Sequence, residues 1–552
     1  MTITQSFSCE PEIKSLLISS NLLPKIWTFV ISSRDDEGFD LYTGNGLSWK
    51  VDVQSSVTIV AFEVKPSFYL DQRMVSSAHL NDNNFHRFQF LLSKKFPVFS
   101  LNRSLVALLY ENLKMLDDLQ ISLSSPRLII TGLGIGGSIA SLFTLSLLDE
   151  TNLRNKRPLC CITFGSPLVG DKRLQEAISR SSTFNSCFLH VVSHKDPVPR
   201  RLNPHTKAYM PFGTFFFCSH INFTCFENPE SVLEILVSLI NDQNQGFQPI
   251  DYGSILQNIF RAVICKDFSQ RRQLWAADLQ QEQYQKIDIK SLVTNLEKLE
   301  NEFLYEKRIF DPLKKLSDIK VNMSKVEWYK RHSECQGIGY YDSFKMGIST
   351  TDLDVVHCLV NIRNYWKDMV KEADMMPYRE AVTFRARWLY GGTNYMRMVE
   401  PLDIAEYYRK GGKDYMANGR STHYKVLEEW LKEDKRNKPS FTSKKNVKLI
   451  LSYDSCFWAH VEEALLLCQQ LENVQSSKEV VEEAIRKLRE FEEYVYGSLK
   501  KYEVSPEIFL SESSYMKWWK QYKEISCKPE LASFMSNPNH YDQYTKGYYD
   551  FP

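Results

Sequence analysis

Between about residues 50 and 240, short apolar runs alternate with longer stretches in which apolar side chains return every third or fourth position. The runs Val57 to Phe62 (VTIVAF), Arg127 to Thr131 (RLIIT), Leu159 to Phe164 (LCCITF) and Phe188 to Val192 (FLHVV) are near-continuous. That pattern predicts strands buried on both faces. The periodic stretches Leu101 to Leu119, Gly137 to Leu148, Asp171 to Ser179 and Ser231 to Ile240 predict helices. Strand and helix in turn imply a mostly parallel sheet covered by helices. After about residue 250 the period becomes helical throughout, as in Ser291 to Arg308, Leu313 to His332 and Lys478 to Lys501. The polar stretch Asn241 to Tyr252 (NDQNQGFQPIDY), with its Gly and Pro, reads as a linker. The expected organisation is an α/β domain over 1–245, a linker with connecting helices over 246–285 and an all-α domain over 286–552.

Composition narrows the function classes. A chain of 552 residues exceeds one core. With 68 basic and 67 acidic side chains the net charge is +1, so no global field directs it to nucleic acid or an anionic membrane. The 12 cysteines, spread from Cys9 to Cys527, lack the paired spacing of a zinc site or disulfide scaffold and read as reduced thiols; no metal is expected. Glu10 and Glu12 stand where a secretory signal would be basic. The uncharged stretch Leu128 to Leu148 is long enough to span a bilayer, but Gly132, Gly134, Gly136 and Gly137 divide it into strand, turn and helix.

That turn, TGLGIGGS (Thr131 to Ser138), sits where an α/β-hydrolase places its nucleophile elbow, G-x-S-x-G. Aligned on its glycines, Gly132 and Gly136 take the outer positions and the nucleophile position falls on Gly134. Downstream, TFGSPLVGD (Thr163 to Asp171) and HVVSHKDPVPRR (His190 to Arg201) resemble the class 3 lipase core, where the carboxylate of D-P-V-P, here Asp196, orients the catalytic histidine. His205 and His220 follow it, neither in a recognisable histidine loop. Ser138 lies one helical turn beyond the apex, away from oxyanion donors. Losing a serine nucleophile costs on the order of a millionfold in kcat, so no efficient ester hydrolysis is expected.

The helical half holds three phrases, VEWYKRHSECQGIGYYDSFK (Val326 to Lys345), NYMRMVEPLDIAEYYRKG (Asn394 to Gly411) and SPEIFLSESSYMKWWKQY (Ser505 to Tyr522). They resemble the EP domain of the plant lipase-like immune regulators known as the enhanced-disease-susceptibility, phytoalexin-deficient and senescence-associated proteins. The degenerate elbow is similar to that of the senescence-associated branch. The resemblance implies an α/β-hydrolase (class 3 lipase-like) N-terminal domain plus an all-α C-terminal EP domain. It also implies a heterodimer with the enhanced-disease-susceptibility protein. The EP cavity of that pair takes an ADP-ribosylated nucleotide made by TIR-domain receptors, and the pair then engages a helper nucleotide-binding leucine-rich-repeat receptor in nucleus and cytoplasm. No cofactor is implied. The alternative is an acyl hydrolase acting on lipid esters in senescence.

Candidate contacts follow. From Arg385 to Lys425, eight Lys/Arg face four acids, with seven aromatics interleaved. Guanidinium groups bind phosphate and aromatic faces stack on bases, although a solvated helical face with inward tyrosines would read the same. Arg385 and Arg387 precede the expected turn GGTNY (Gly391 to Tyr395) and Arg397 follows it. The resemblance places Lys330 and Arg331 opposite, as a basic wall joined by Tyr395, Arg420 and His423. Asp403, after Pro401, is expected to cap a helix. Tyr340 to Lys345, Trp518 and Trp519 read as core or interface. Leu16, Leu17, Leu22 and Leu23 form an apolar edge that reads either as plain core or, as the resemblance implies, as part of a groove that receives a partner helix.

Overall fold

The computed structural model describes residues 22–32, 40–54, 57–80, 86–123, 127–150, 159–202, 208–219, 223–238, 250–261, 277, 289–309, 312–347, 351–437, 451–472, 478–526 and 529–551. The chain divides into two compact units, one of residues 1–309 with 374–381 and one of 310–373 with 382–552.

The first unit is built on an eight-stranded sheet in the order β1-β2-β3-β6-β7-β8-β9-β10. Its centre, β3 (Thr58–Val64), β6 (Leu128–Leu133), β7 (Leu159–Phe164), β8 (Phe188–Ser193) and β9 (Thr214–Cys218), is parallel throughout. β1 (Asp40–Thr43) and β2 (Leu47–Val53) close one edge and β10 (Phe223–Phe226) the other, all antiparallel. The four continuous apolar runs are β3, β6, β7 and β8, buried on both faces as expected, while β9, equally buried, was not among them. The edge strands escaped the pattern because they are short and carry polar positions, as in Asp40 and Lys50. β4 (Met74–Ser76) and β5 (Ser100–Asn102) form a separate ribbon.

Helices cover both sides. α1 (Leu22–Ile31) precedes the sheet; α2 (Arg103–Glu111), α3 (Leu113–Ser122), α4 (Ile135–Glu150), α5 (Lys172–Arg180), α6 (Pro229–Ser238), α7 (Tyr252–Arg261) and α8 (Ile289–Ile309) follow in chain order. The single helix expected over 101–119 is instead β5, α2 and α3. It breaks at Asn112, whose side-chain amide donates to Leu108 and Asn45 and accepts from the Asn45 N–H. The large core lies between the sheet and α2 to α6, while α1 and α7 cover the other face with a smaller cluster.

The domain limits move accordingly. Tyr252 is fully buried against the first sheet, Leu292 and Leu296 of α8 join the large core, and the Asn228 amide donates to the Leu299 carbonyl at 3.0 Å. The second unit therefore begins near 310, not 286. A linker-like composition marks where a chain leaves one element but not where the next helix packs. Among the described residues, no helix is long and apolar enough to cross a membrane.

The second unit is helical: α9 (Pro312–Cys335), α10 (Tyr340–Met346), α11 (Thr351–Met375), α12 (Tyr378–Arg409), α13 (Thr422–Asn437), α14 (Phe457–Glu472), α15 (Lys478–Lys500) and α16 (Ser514–Ile525). Its core is rich in aromatics, and Tyr340, Tyr341, Phe344, Trp518 and Trp519 all lie in it. α12 runs unbroken through Gly391 to Tyr395, so the expected turn there does not exist. The glycines serve packing: a Cβ on Gly392 would come within 3.1 Å of Trp366 and 3.0 Å of Leu427, which lets α11 and α13 approach closely. Pro401 also sits inside α12. Proline lacks the N–H that would bond the carbonyl four residues back. That carbonyl, of Arg397, lies 3.5 Å from the Tyr340 hydroxyl instead.

Candidate functional site

At the end of β6 the chain turns sharply into α4. Gly134 holds the apex in the left-handed region at φ 56°, with its N–H donating to the Phe164 carbonyl at 2.8 Å. Three neighbouring glycines are required by contact. A Cβ on Gly132 would stand 2.5 Å from the Gly136 carbonyl carbon, one on Gly136 2.3 Å from the Phe62 oxygen, and one on Gly137 1.9 Å from Ser166 Oγ. Gly134 differs, because the nearest atom to a Cβ there is Val198 Cγ1 at 3.9 Å. The turn thus keeps the tight strand-to-helix packing of an elbow and leaves space at the apex for a side chain it does not carry.

Ser138, Asp196 and His190 nearby are each occupied. Ser138 is fully buried, and its hydroxyl donates to the Pro167 carbonyl at 2.7 Å. Asp196, on the turn after β8, accepts from the Tyr252 hydroxyl at 2.6 Å and from the Val198 N–H at 2.9 Å. His190 of β8 is buried among Phe188, Phe212 and Phe215, pairs with Thr163 at 2.8 Å, and burial lowers its pKa to about 4. His205, His220, Leu16 and Leu17 lie outside the described residues. Leu23 is 1% exposed and packs with Ile26, Trp27 and Phe29 in the domain's own core, which corrects its assignment to an open apolar edge. Leu22 is half-buried.

In the second unit the basic stretch is divided rather than gathered. Arg385 and Arg387 are two residues apart on one helix, which turns them roughly 200° from each other, and Arg397 lies about 15–18 Å further along the axis. They form no single wall. Arg385 pairs with Glu433 of α13 at 3.0 Å, while Arg387 is exposed beside the Trp388 ring. Arg397 stacks on Tyr453 at 3.9 Å and donates from Nε to the Tyr453 carbonyl. Lys330 stands 5.5 Å over the Tyr340 ring, whose hydroxyl meets the Arg397 backbone carbonyl rather than its guanidinium. Arg331 is exposed and paired with Glu327 at 2.5 Å. Burial raises the nearby Glu507 to about 7 against the pull of Lys330.

The remaining candidates belong to the core. Arg420, 7% exposed, donates to fully buried Glu400 at 2.8 Å and to Glu428 at 2.6 Å. Ser455 and Tyr415 also donate to Glu400. Tyr395 is fully buried. Its hydroxyl pairs with His423 Nε2 at 2.8 Å and meets Tyr424, whose hydroxyl donates to Asp403 at 2.7 Å. Burial, with Lys367 and Arg363 adding to it, lowers His423 to about 4. Asp403 is not a cap. It sits mid-helix, ion-paired with Arg363 of α11, and burial lifts it to about 6. Sequence reasoning missed Arg363, because its partners on α12 are some 40 residues away in a chain full of charged helices. Among the described residues, no group of three His, Cys, Asp or Glu is placed to hold a metal.

A parallel-centred sheet ending in this elbow, followed by an aromatic-cored helical unit, defines a lipase-like protein with a helical extension. Residues 43–205 match the class 3 lipases, and residues 324–536 match the Enhanced disease susceptibility 1 protein EP domain. Three proteins of Arabidopsis thaliana are similar over most of their length. Senescence-associated carboxylesterase 101 is 35% identical across 96% of this chain and 97% of that protein. Lipase-like PAD4 is 27% identical across 76% and 80%, and Protein EDS1 24% identical across 72% and 78%. The chain belongs to the family of plant lipase-like immune regulators that these three represent.

Proposed function

We propose that the chain is a non-catalytic signalling subunit of plant immunity that pairs with the enhanced-disease-susceptibility lipase-like protein. In this reading the pair binds an ADP-ribosylated nucleotide, produced by TIR-domain receptors, at its EP-domain cavity. It then engages a helper nucleotide-binding leucine-rich-repeat receptor, in nucleus and cytoplasm, to promote defence and cell death. The observation that carries the reading is Gly134, an elbow apex with room for a nucleophile and no atom to serve as one. Ser138 offers no replacement, since its hydroxyl is fully buried and spent on a carbonyl.

For the ligand, Lys330 beside the Tyr340 ring and Arg397 beside Tyr453 are the favoured basic contacts, with Arg331, Arg385 and Arg387 further out. Arg420, Tyr395 and His423 act indirectly, by holding α12 against α13. Leu22 is the one described leucine of the N-terminal edge with surface left for a partner helix. The test is to recover the tagged chain from plant tissue before and after TIR activation and weigh what comes with it. The reading expects the lipase-like partner in both samples and a nucleotide messenger after activation alone. Recovery of the chain alone in both would overturn it.

A further inference from the structure

The face of the first sheet under α1 and α7 has the smaller of that unit's two cores, and it is pinned at two buried polar points. One is Lys50 of β2, 6% exposed, whose ammonium donates to the carbonyls of Phe29, Val30 and Ser32 at 2.9, 3.1 and 2.9 Å and so holds the C-terminal end of α1. The other is Asp196, 4% exposed. Its Oδ2 accepts from the Tyr252 hydroxyl at 2.6 Å, and that hydroxyl in turn accepts from the Ser193 N–H at 3.2 Å.

The neighbourhood is shaped around this contact. Gly165, at φ 56°, leaves the space the carboxylate fills, since a Cβ there would lie 1.9 Å from Asp196 Oδ2. The Tyr252 ring lies 5.4 Å from Trp27 of α1 and 5.7 Å from Phe164 of β7. Gly253, where a Cβ would meet Trp27 Nε1 at 2.7 Å, lets α7 press onto α1.

We propose that Asp196 anchors a latch, Asp196–Tyr252, that sets the position of α7 on the sheet and, through Trp27, that of α1. The carboxylate that the sequence marks as a remnant of a catalytic site thereby keeps a positioning task. A buried hydroxyl facing a carboxylate is far better off bonded than free, so the contact resists opening of the cover. A cover with a small core opens locally before the sheet behind it does, so its opening is visible apart from global unfolding. The inference goes beyond the signalling reading and does not depend on it, because the hydrogen bond forms whether or not the elbow reacts.

The test is amide hydrogen exchange on the full chain. Tyr252→Phe removes one hydroxyl and keeps the ring. It is expected to speed exchange in Leu22–Ile31 and Tyr252–Arg261 by about tenfold to a hundredfold, with β6 and α4 unchanged. Asp196→Ala should do the same, and the double variant should add nothing further, as coupled residues do. Asp196→Asn, which keeps an acceptor for the hydroxyl, should restore much of the protection and serves in place of Asp196→Ala if that variant does not fold. Unchanged exchange in α1, an equal rise across the whole sheet, or additive effects in the double variant would each overturn the latch.

Discussion

The elbow of the first unit and the basic stretch of the second depart in opposite ways from the sites their sequence motifs suggest. At the elbow the backbone is retained in detail, with three glycines fixed by contacts under 3 Å, while the apex position, Gly134, carries no side chain. In the basic stretch the side chains are all present, yet Arg420, Tyr395 and His423 are consumed by internal partners. A motif therefore reports geometry more reliably than chemistry when its residues are glycines. A cluster of charges reports little until its partners are known, because a buried cation must be paired.

Several variants break or sharpen that contrast. The largest effect is expected from Arg420→Ala. It strands fully buried Glu400 and should lower the stability of the helical unit by about 3–5 kcal/mol in denaturant unfolding. Gly136→Ala should cost about 3 kcal/mol or prevent folding, since its methyl group would enter the Phe62 carbonyl.

Next comes a pH effect in the first unit. His190 has a folded pKa of about 4, below the unfolded value near 6.5. Between those values the unfolded chain binds a proton that the folded chain does not, so stability falls as pH drops from about 6.5 to 4, by roughly 3 kcal/mol in full. His190→Asn should flatten that slope; an unchanged slope would show that other groups carry it.

Gly134→Ser should be milder, about 1–2 kcal/mol, because the space is open and only the left-handed backbone is strained. Equal damage from Gly134→Ser and Gly136→Ala would erase the distinction drawn between the two glycines. The smallest change is expected from Arg387→Ala, within about 0.5 kcal/mol, as the side chain is exposed beside Trp388.

Much of the first unit was legible because strands buried on both faces must be apolar throughout, and β3, β6, β7 and β8 are. The elbow was legible from glycine spacing, and Asp171, which accepts from the Leu174 N–H, opens α5 close to where its pattern begins. What escaped depends on contacts distant in sequence. Gly391 and Gly392 read as a turn because glycine disfavours helix, and packing on Trp366 overrides that preference. Asp403 after Pro401 read as a cap, yet Arg363 and Tyr424 hold it in mid-helix. Leu23 lies with Ile26 and Trp27 on the inner face of a short helix whose outer face is marked only by Lys25 and Thr28.

The account's central claim is that the elbow retains its form without a nucleophile, and the most direct measurement is labelling of the purified full chain by a fluorophosphonate serine-hydrolase probe, followed by intact mass. The account predicts no adduct, in the parent chain and in Ser138→Ala alike. A stoichiometric adduct that disappears in Ser138→Ala would contradict it, since Ser138 would then have left the Pro167 carbonyl to act as the nucleophile.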